Sequence, residues 1–322
     1  MTARRFFFLL LIFSFPLTTQ AGVSSADLPG NLVWYMHADL VQMRSTESGG
    51  PLYKWFDDEV IVEINNEIGI DLSTEIDSVT AFSDRSDGTV IIVEGPLTKK
   101  SQDKLLALAM LESTVNRLES GGKEYYHIIE DGDDGDDSDG DGDDEDHERH
   151  SGNDPLDDFD GSAYFSFSIA NKAIITSNEN HMQELLESGG KVSGSQSHEG
   201  SMFVLTADRS FVQAGLRPDG MADGDDGDWE SNIIRNTEQA ALLISDSGGQ
   251  IAVEAQIVST DPAMAASIGS IVSGLISLQA FNSELDANLK SLIQNTKVKV
   301  KDNVLSVSTV IDPDLIVSVL DD

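Results

Sequence analysis

Apolar positions along this chain alternate between a period of about two and a period near 3.6, and each switch marks an element boundary. Asn31 to Leu40 (NLVWYMHADL) is apolar enough for a buried strand that ends at Asp39. In PLYKWFDDEVIVEINNEIGI, Leu52, Trp55, Phe56, Val60, Ile64 and Ile68 recur at helical spacing, and Gly69 stops the helix. Two strands follow, Ile76 to Ser83 and Thr89 to Glu94, joined through the turn signal Asp87-Gly88. From Ser101 as N-cap, QDKLLALAMLESTVNRL predicts one amphipathic helix closed by Gly121-Gly122, and KEYYHIIE predicts a strand after it. Ser162 to Ser168 and Ala173 to Thr176 read as a hairpin around Asn171-Lys172, followed by a short helix from Asn180 to Glu187.

The second part repeats this order. MFVLTADRS stands where LVWYMHADL stood, with Asp208 answering Asp39. A helix is expected near Trp229 to Asn236, then strands Gln239 to Ser245 and Gln250 to Val258 around Asp246-Ser247-Gly248-Gly249. Asp261-Pro262 opens a helix as N-cap and first-turn proline. Strands Lys297 to Lys301 and Val304 to Val310 turn at Asp302-Asn303, and a last helix starts at Asp312-Pro313.

The expected fold is therefore α+β, in two similar halves. Each is a largely antiparallel sheet with helices on one face, in the order β-α-β-β-α-β-β-α, and a disordered acidic loop splits the pattern. The boundaries that follow are a leader over 1–21, a first half over 22–188 with the acidic loop 131–161 inserted, a Gly/Ser linker over 189–200, and a second half over 201–322. Pro262 to Ser283 contains no charged residue and is nearly long enough to cross a bilayer. Ser267, Ser270, Ser273 and Ser277 draw a mildly polar stripe along it, opposite Ile268, Ile271, Val272 and Leu275. The pattern favours a helix buried between sheet and neighbour, with Ala265 and Gly269 allowing close approach, over membrane contact.

The N-terminus changes the picture by assigning a compartment. MTARRFFFLLLIFSFPLTTQAG has two arginines, an apolar stretch too short to span, and a small-residue site, which is the layout of a secretory signal with cleavage after Ala21. The chain is expected in the periplasm or outside the cell, by the general secretory route. It has no cysteine, so its domains hold by packing without disulfides. Its formal net charge of −37 opposes a nucleic-acid partner, and the one basic stretch, Lys297 to Lys301 (KVKVK), reads as the solvated face of a strand.

The acid is concentrated. From Asp131 to Glu148 there are 12 carboxylates in 18 residues and no Lys or Arg, so the run cannot bury a core or pair its own charge. Carboxylates two residues apart repel by roughly 0.6 kcal/mol per pair in water, and any cation that screens them recovers part of that. Within the run, Asp137 to Glu148 (DSDGDGDDEDHE) resembles the twelve-residue calcium loop of the EF-hand family. That resemblance implies side-chain oxygens from Asp137, Asp139 and Asp141, a carbonyl from Asp143, a contact from Glu145, two oxygens from Glu148 and a sharp turn at Gly142. It covers twelve residues only. Asp144 stands where the family has an apolar residue, and the flanks read as strand and loop rather than helices. A discrete Ca2+ site, loose divalent binding and a purely solvating loop all remain open. The hexapeptide DGDDGD at Asp131 to Asp136 recurs at Asp223 to Asp228 in a non-equivalent place.

Other constellations are weaker. His37 and Asp39 lie two apart on a strand and face one way, which suits a metal, but Thr206 and Asp208 at the matching positions favour a structural aspartate. His147 and His150 with Glu148 lack a fixed third ligand for zinc, and His127 and His181 read as surface residues. No nucleophile elbow, triad order or phosphate-binding glycine loop is present.

The reading these features favour is a non-catalytic exported binding or scaffold protein with a cation-binding acidic loop. Its implied partners are divalent cations, and then an envelope protein or an apolar ligand. The alternatives are a hydrolytic enzyme with a site between the halves, near Asp39 and Asp208, and an envelope carrier sheltering an apolar ligand beneath the uncharged helix.

Overall fold

The computed structural model describes residues 32–84, 88–130, 159, 161–191, 200–215, 235–280 and 287–320. In chain order, β1 (Leu32–Asp39) leads into α1 (Leu40–Ser45), α2 (Gly49–Phe56), a π-helical turn (Asp57–Ile61) and α3 (Val62–Ile68). The hairpin β2 (Ser78–Asp84) and β3 (Gly88–Glu94) precedes α4 (Lys99–Glu112). Two further hairpins come next, β4 (Ser113–Ser120) with β5 (Lys123–Glu130) and β6 (Ser162–Ser166) with β7 (Lys172–Thr176), and then α5 (Glu179–Ser188). The remainder is β8 (Ser201–Asp208), α6 (Arg209–Gly215), β9 (Thr237–Asp246), β10 (Ile251–Ser259), α7 (Pro262–Ala280), α8 (Ala287–Asn295), β11 (Lys297–Lys301), β12 (Val304–Ile311) and α9 (Pro313–Leu320).

All these strands belong to one antiparallel sheet of twelve, in the order β11-β12-β10-β9-β8-β1-β2-β3-β7-β6-β5-β4. The expectation of two sheets is corrected by the pairing of β1 with β8, where Trp34 faces Ala207, Met36 faces Leu205 and Ala38 faces Phe203. Both strands are apolar on both faces, so each needs a neighbour on either side to satisfy its backbone. They supply it to one another.

Register separates the two faces. Ala38, Val79, Val93, Ala173, Phe165, Ile244, Val253 and Ile311 lie in one continuous core with α1, α2, α4 and α9, through Leu40, Met43, Leu52, Leu105 and Ile316. Tyr35, Phe82, Val90, Ile92 and Ile174 point the other way and are covered by Met182, Leu185 and Leu186 of α5. Helices therefore lie on both faces, not one. The amphipathic stripe of α5 pins it there: Met182 and Leu186 are fully buried, each contributing about 1.5–3 kcal/mol. Asp246, at the end of β9, accepts a hydroxyl hydrogen bond of 2.5 Å from buried Ser48 between α1 and α2. That bond, with the amides of Gly248 and Gly249, holds the Asp246 carboxyl below the usual range although desolvation opposes it.

Two local expectations are corrected. The helix predicted to run to Leu118 stops at Glu112, because Ser113 to Ser120 pairs with β5 across Gly121-Gly122. Both glycines have positive φ, 58° and 76°, as the two-residue turn of this hairpin requires. The predicted helix from Leu52 to Ile68 is interrupted by the π-helical turn, although Gly69, with φ 65°, closes it as expected. The helix α8 had no counterpart in the sequence reading, and the one placed near Trp229 falls almost wholly outside the described residues.

Candidate functional site

The helix α7 is built by its first residue pair. Asp261 accepts the amide of Met264 at 2.9 Å as an N-cap, and Pro262 takes a first-turn position where no amide is needed. One side then packs on the sheet: Ile268 is buried against Leu305 and Val307, with Ile257, Val272, Ile276 and Val298 around them, and Ala265 is buried as well. Gly269 sets the distance. A Cβ there would sit 2.6 Å from Val300 Cγ2 and 3.4 Å from Leu305 Cδ1, so the backbone lies directly on the sheet edge.

The outer side is open, which corrects the expectation of a helix sandwiched between sheet and neighbour. Only 17% of its most apolar eighteen-residue window is buried, and Ile271, Leu275 and Leu278 are 39%, 38% and 70% exposed. By length and composition this helix could cross a membrane. The serine stripe is less polar than its composition suggests. Ser267, Ser270, Ser273 and Ser277 each donate their hydroxyl to the carbonyl four residues back, at 2.7–2.9 Å, so no hydroxyl hydrogen is left for water. Sequence reasoning found the stripe but not these bonds.

The residues considered for hydrolysis or metal binding have structural uses. Asp39 accepts the amide of Gln42 at 2.8 Å and caps α1, while Asp208 accepts the amides of Ser210 and Phe211 at 2.8 and 3.2 Å at the start of α6. His37 shares a hydrogen bond of 2.9 Å with Thr80 Oγ1 on the neighbouring strand. Burial lowers its pKa, and the carboxylates of Asp39 and Glu94 oppose that only in part. His127 stacks on Tyr164, rings 4.4 Å apart, and bonds Ser162. His181 is not a surface residue; it is buried, with Nε2 3.3 Å from Asp84 Oδ2.

Among the described residues there is no group of three or more His, Asp or Glu side chains placed to hold a metal. Asp137, Asp139, Asp141, Asp143 and Glu148 lie outside them, as do His147, His150 and the repeated DGDDGD stretches. Two shallow clefts flank α4, of about 160 and 210 Å³, below the size of a typical small-molecule site. In the larger, Glu75 already accepts from the Thr98 amide and the Ser101 hydroxyl, which ties the chain before β2 to the start of α4. Neither cleft touches α7.

No family model and no curated protein matches this chain. It is similar to solved structures of TP0453. Crystal form III aligns with TM-score 0.47 and 8% identity over 94% of this chain and 99% of that one. Crystal form IV aligns with 0.48 and 9% over 94% and 98%, and crystal form I with 0.41 and 8% over the same shares. Likeness at this level transfers neither a site nor an activity.

Proposed function

We propose that this is an exported, non-catalytic binding protein that works through a surface rather than a pocket, with the outer side of α7 meeting an apolar partner in the cell envelope. The observation that carries the reading is an uncharged nineteen-residue helix, mostly exposed, in a chain of net charge −37. A solvent-facing helix in so acidic a protein ordinarily carries charge, and a contiguous apolar surface marks an interaction site. The test is fractionation of cells expressing wild type or the double variant Ile271→Asp with Leu278→Asp. Both positions are exposed, so thermal unfolding should stay within a degree or two while the variant moves from envelope to soluble exported fraction. A variant that stays with the envelope would contradict the reading.

The acidic run remains the candidate for divalent cations, with Asp137, Asp139, Asp141, Asp143 and Glu148 as ligands and the D-x-D-x-D-G spacing as its support. Calorimetric titration of Ca2+ into wild type, and into a variant with Asp137, Asp139 and Asp141 changed to Asn, tests it. Saturable heat that survives the triple change rules out this ligand set.

We further infer that the sheet descends from two related lobes, β1-β2-β3-β7-β6 and β8-β9-β10-β12-β11, with β4 and β5 added to the first. Three observations support this. The strand order is the same on both sides of the β1–β8 pair. The register breaks between Leu32 and Trp34 in β1 and between Ser201 and Phe203 in β8, matching positions when Asp39 is set on Asp208. In that alignment Met36 matches Leu205, and these two face each other across the junction, as a two-fold relation requires.

A further inference from the structure

Resting on the assignment of α7 as the contact surface, we propose that its partner is the interface of a lipid bilayer, and that α7 lies in the plane of that interface while still packed on the sheet. Chemistry favours lipid over a protein groove. From Pro262 to Ala280 there is no Trp, Tyr, Phe or Arg, the side chains that anchor most protein–protein hot spots. The exposed positions are Ala, Ser and Gly with Pro262, Ile271, Leu275, Leu278 and one amide, Gln279, near the C-terminal end, a surface of shallow relief that suits a fluid, non-directional apolar phase. The back-bonded serines matter here as well, since a hydroxyl that has already donated within its own helix can leave water at little cost.

Geometry favours lying over spanning. At 1.5 Å per residue the helix is about 28 Å long, enough to cross. Crossing would strip Ile268 off Leu305 and Val307 and Gly269 off Val300 and Leu305, reopening a buried cluster, whereas lying flat keeps every contact on the sheet side. Charge selects the lipid. The helix begins at Asp261, Glu284 and Asp286 follow it in sequence, and the whole chain carries −37. Lys297, Lys299 and Lys301 on β11 alternate with Val298 and Val300, and Val298 packs in the α7 cluster, so these three project from the opposite face of the sheet, which leaves, among the described residues, Lys290 of α8, the helix packed beside α7, as a single nearby positive charge against this acid. A zwitterionic surface is therefore preferred to an anionic one, the reverse of the usual basic interfacial helix.

Flotation of the purified full-length exported chain with phosphatidylcholine vesicles, and with vesicles containing phosphatidylglycerol, tests this. The expected result is flotation with phosphatidylcholine, loss of it in the Ile271→Asp, Leu278→Asp variant, and weakening by about fivefold or more when phosphatidylglycerol is included. Flotation that survives the double variant, or that strengthens with phosphatidylglycerol, overturns the proposal. If wild type ignores both vesicles although its envelope fractionation depends on α7, the partner is a protein: the lipid assignment fails and the contact surface stands. If neither flotation nor fractionation depends on α7, both fail.

Discussion

Asp39 and Asp208 show how little a carboxylate at a strand end says about chemistry until its acceptor role is known. Each takes the amide three residues on, Gln42 or Phe211, so each is held by a helix start rather than turned toward a ligand. Changing either to Ala should cost about 0.5–2 kcal/mol in urea unfolding, and Asn should recover most of it. An unchanged midpoint in both Ala variants would contradict the capping role. His37 carries a pH dependence of definite sign. Its folded pKa lies below the ordinary 6.5 because burial outweighs the carboxylates of Asp39 and Glu94, so the unfolded chain binds more protons. The stability this gives is complete above the unfolded pKa and is lost as pH falls through the lowered folded value. Urea midpoints above and below pH 6.5 should therefore drop less on acidification in His37→Gln than in wild type. Equal drops would refute it. Burial of the same kind, with Glu94 nearby, pushes the Tyr35 phenol up to about 12.

At the scale of elements, α7 is fixed by one glycine and by its own hydroxyls. Gly269→Ala sets a helix-propensity gain of up to about 1 kcal/mol against the overlap with Val300, and these nearly offset. Gly269→Leu has no such compensation and should cost about 1–3 kcal/mol by forcing α7 away from Val300 and Leu305, read as a lower thermal midpoint. A stable Gly269→Leu protein would mean that the helix does not rest on β11. Elements of this kind were legible in the sequence wherever caps and turns spoke clearly. Asp261-Pro262, Asp312-Pro313, Gly69 and the turn at Asp302, whose φ is 53°, all sit where their residue types require. The failure at Ser113 to Ser120 has a physical cause: Gly-Gly ends helices and turns hairpins equally well, and only the partner strand decides between them.

For the whole molecule, the step the sequence could not supply is the joining of β1 to β8. Strands apolar on both faces fit equally the centre of a small sheet or the middle of a large one, and no local residue encodes which neighbour comes from 165 to 173 residues away. The edges were easier to read. Lys297, Lys299 and Lys301 occupy the outermost strand, where charge discourages further pairing, which explains their alternation without a polyanionic ligand. The exposed side of α7 was half legible: the lack of charge from Pro262 onward was plain, but burial of the outer side could not be judged before the fold placed α7 on an outlying part of the sheet. Because the chain has no cysteine, single Cys labels report one site each. The most direct test places an environment-sensitive fluorophore at Ile271→Cys, Leu275→Cys, Leu278→Cys and Lys299→Cys in turn, and adds phosphatidylcholine vesicles. The bilayer assignment of α7 predicts a blue shift at the three α7 positions and none at 299; no shift along α7, or the same shift at all four, would contradict that assignment.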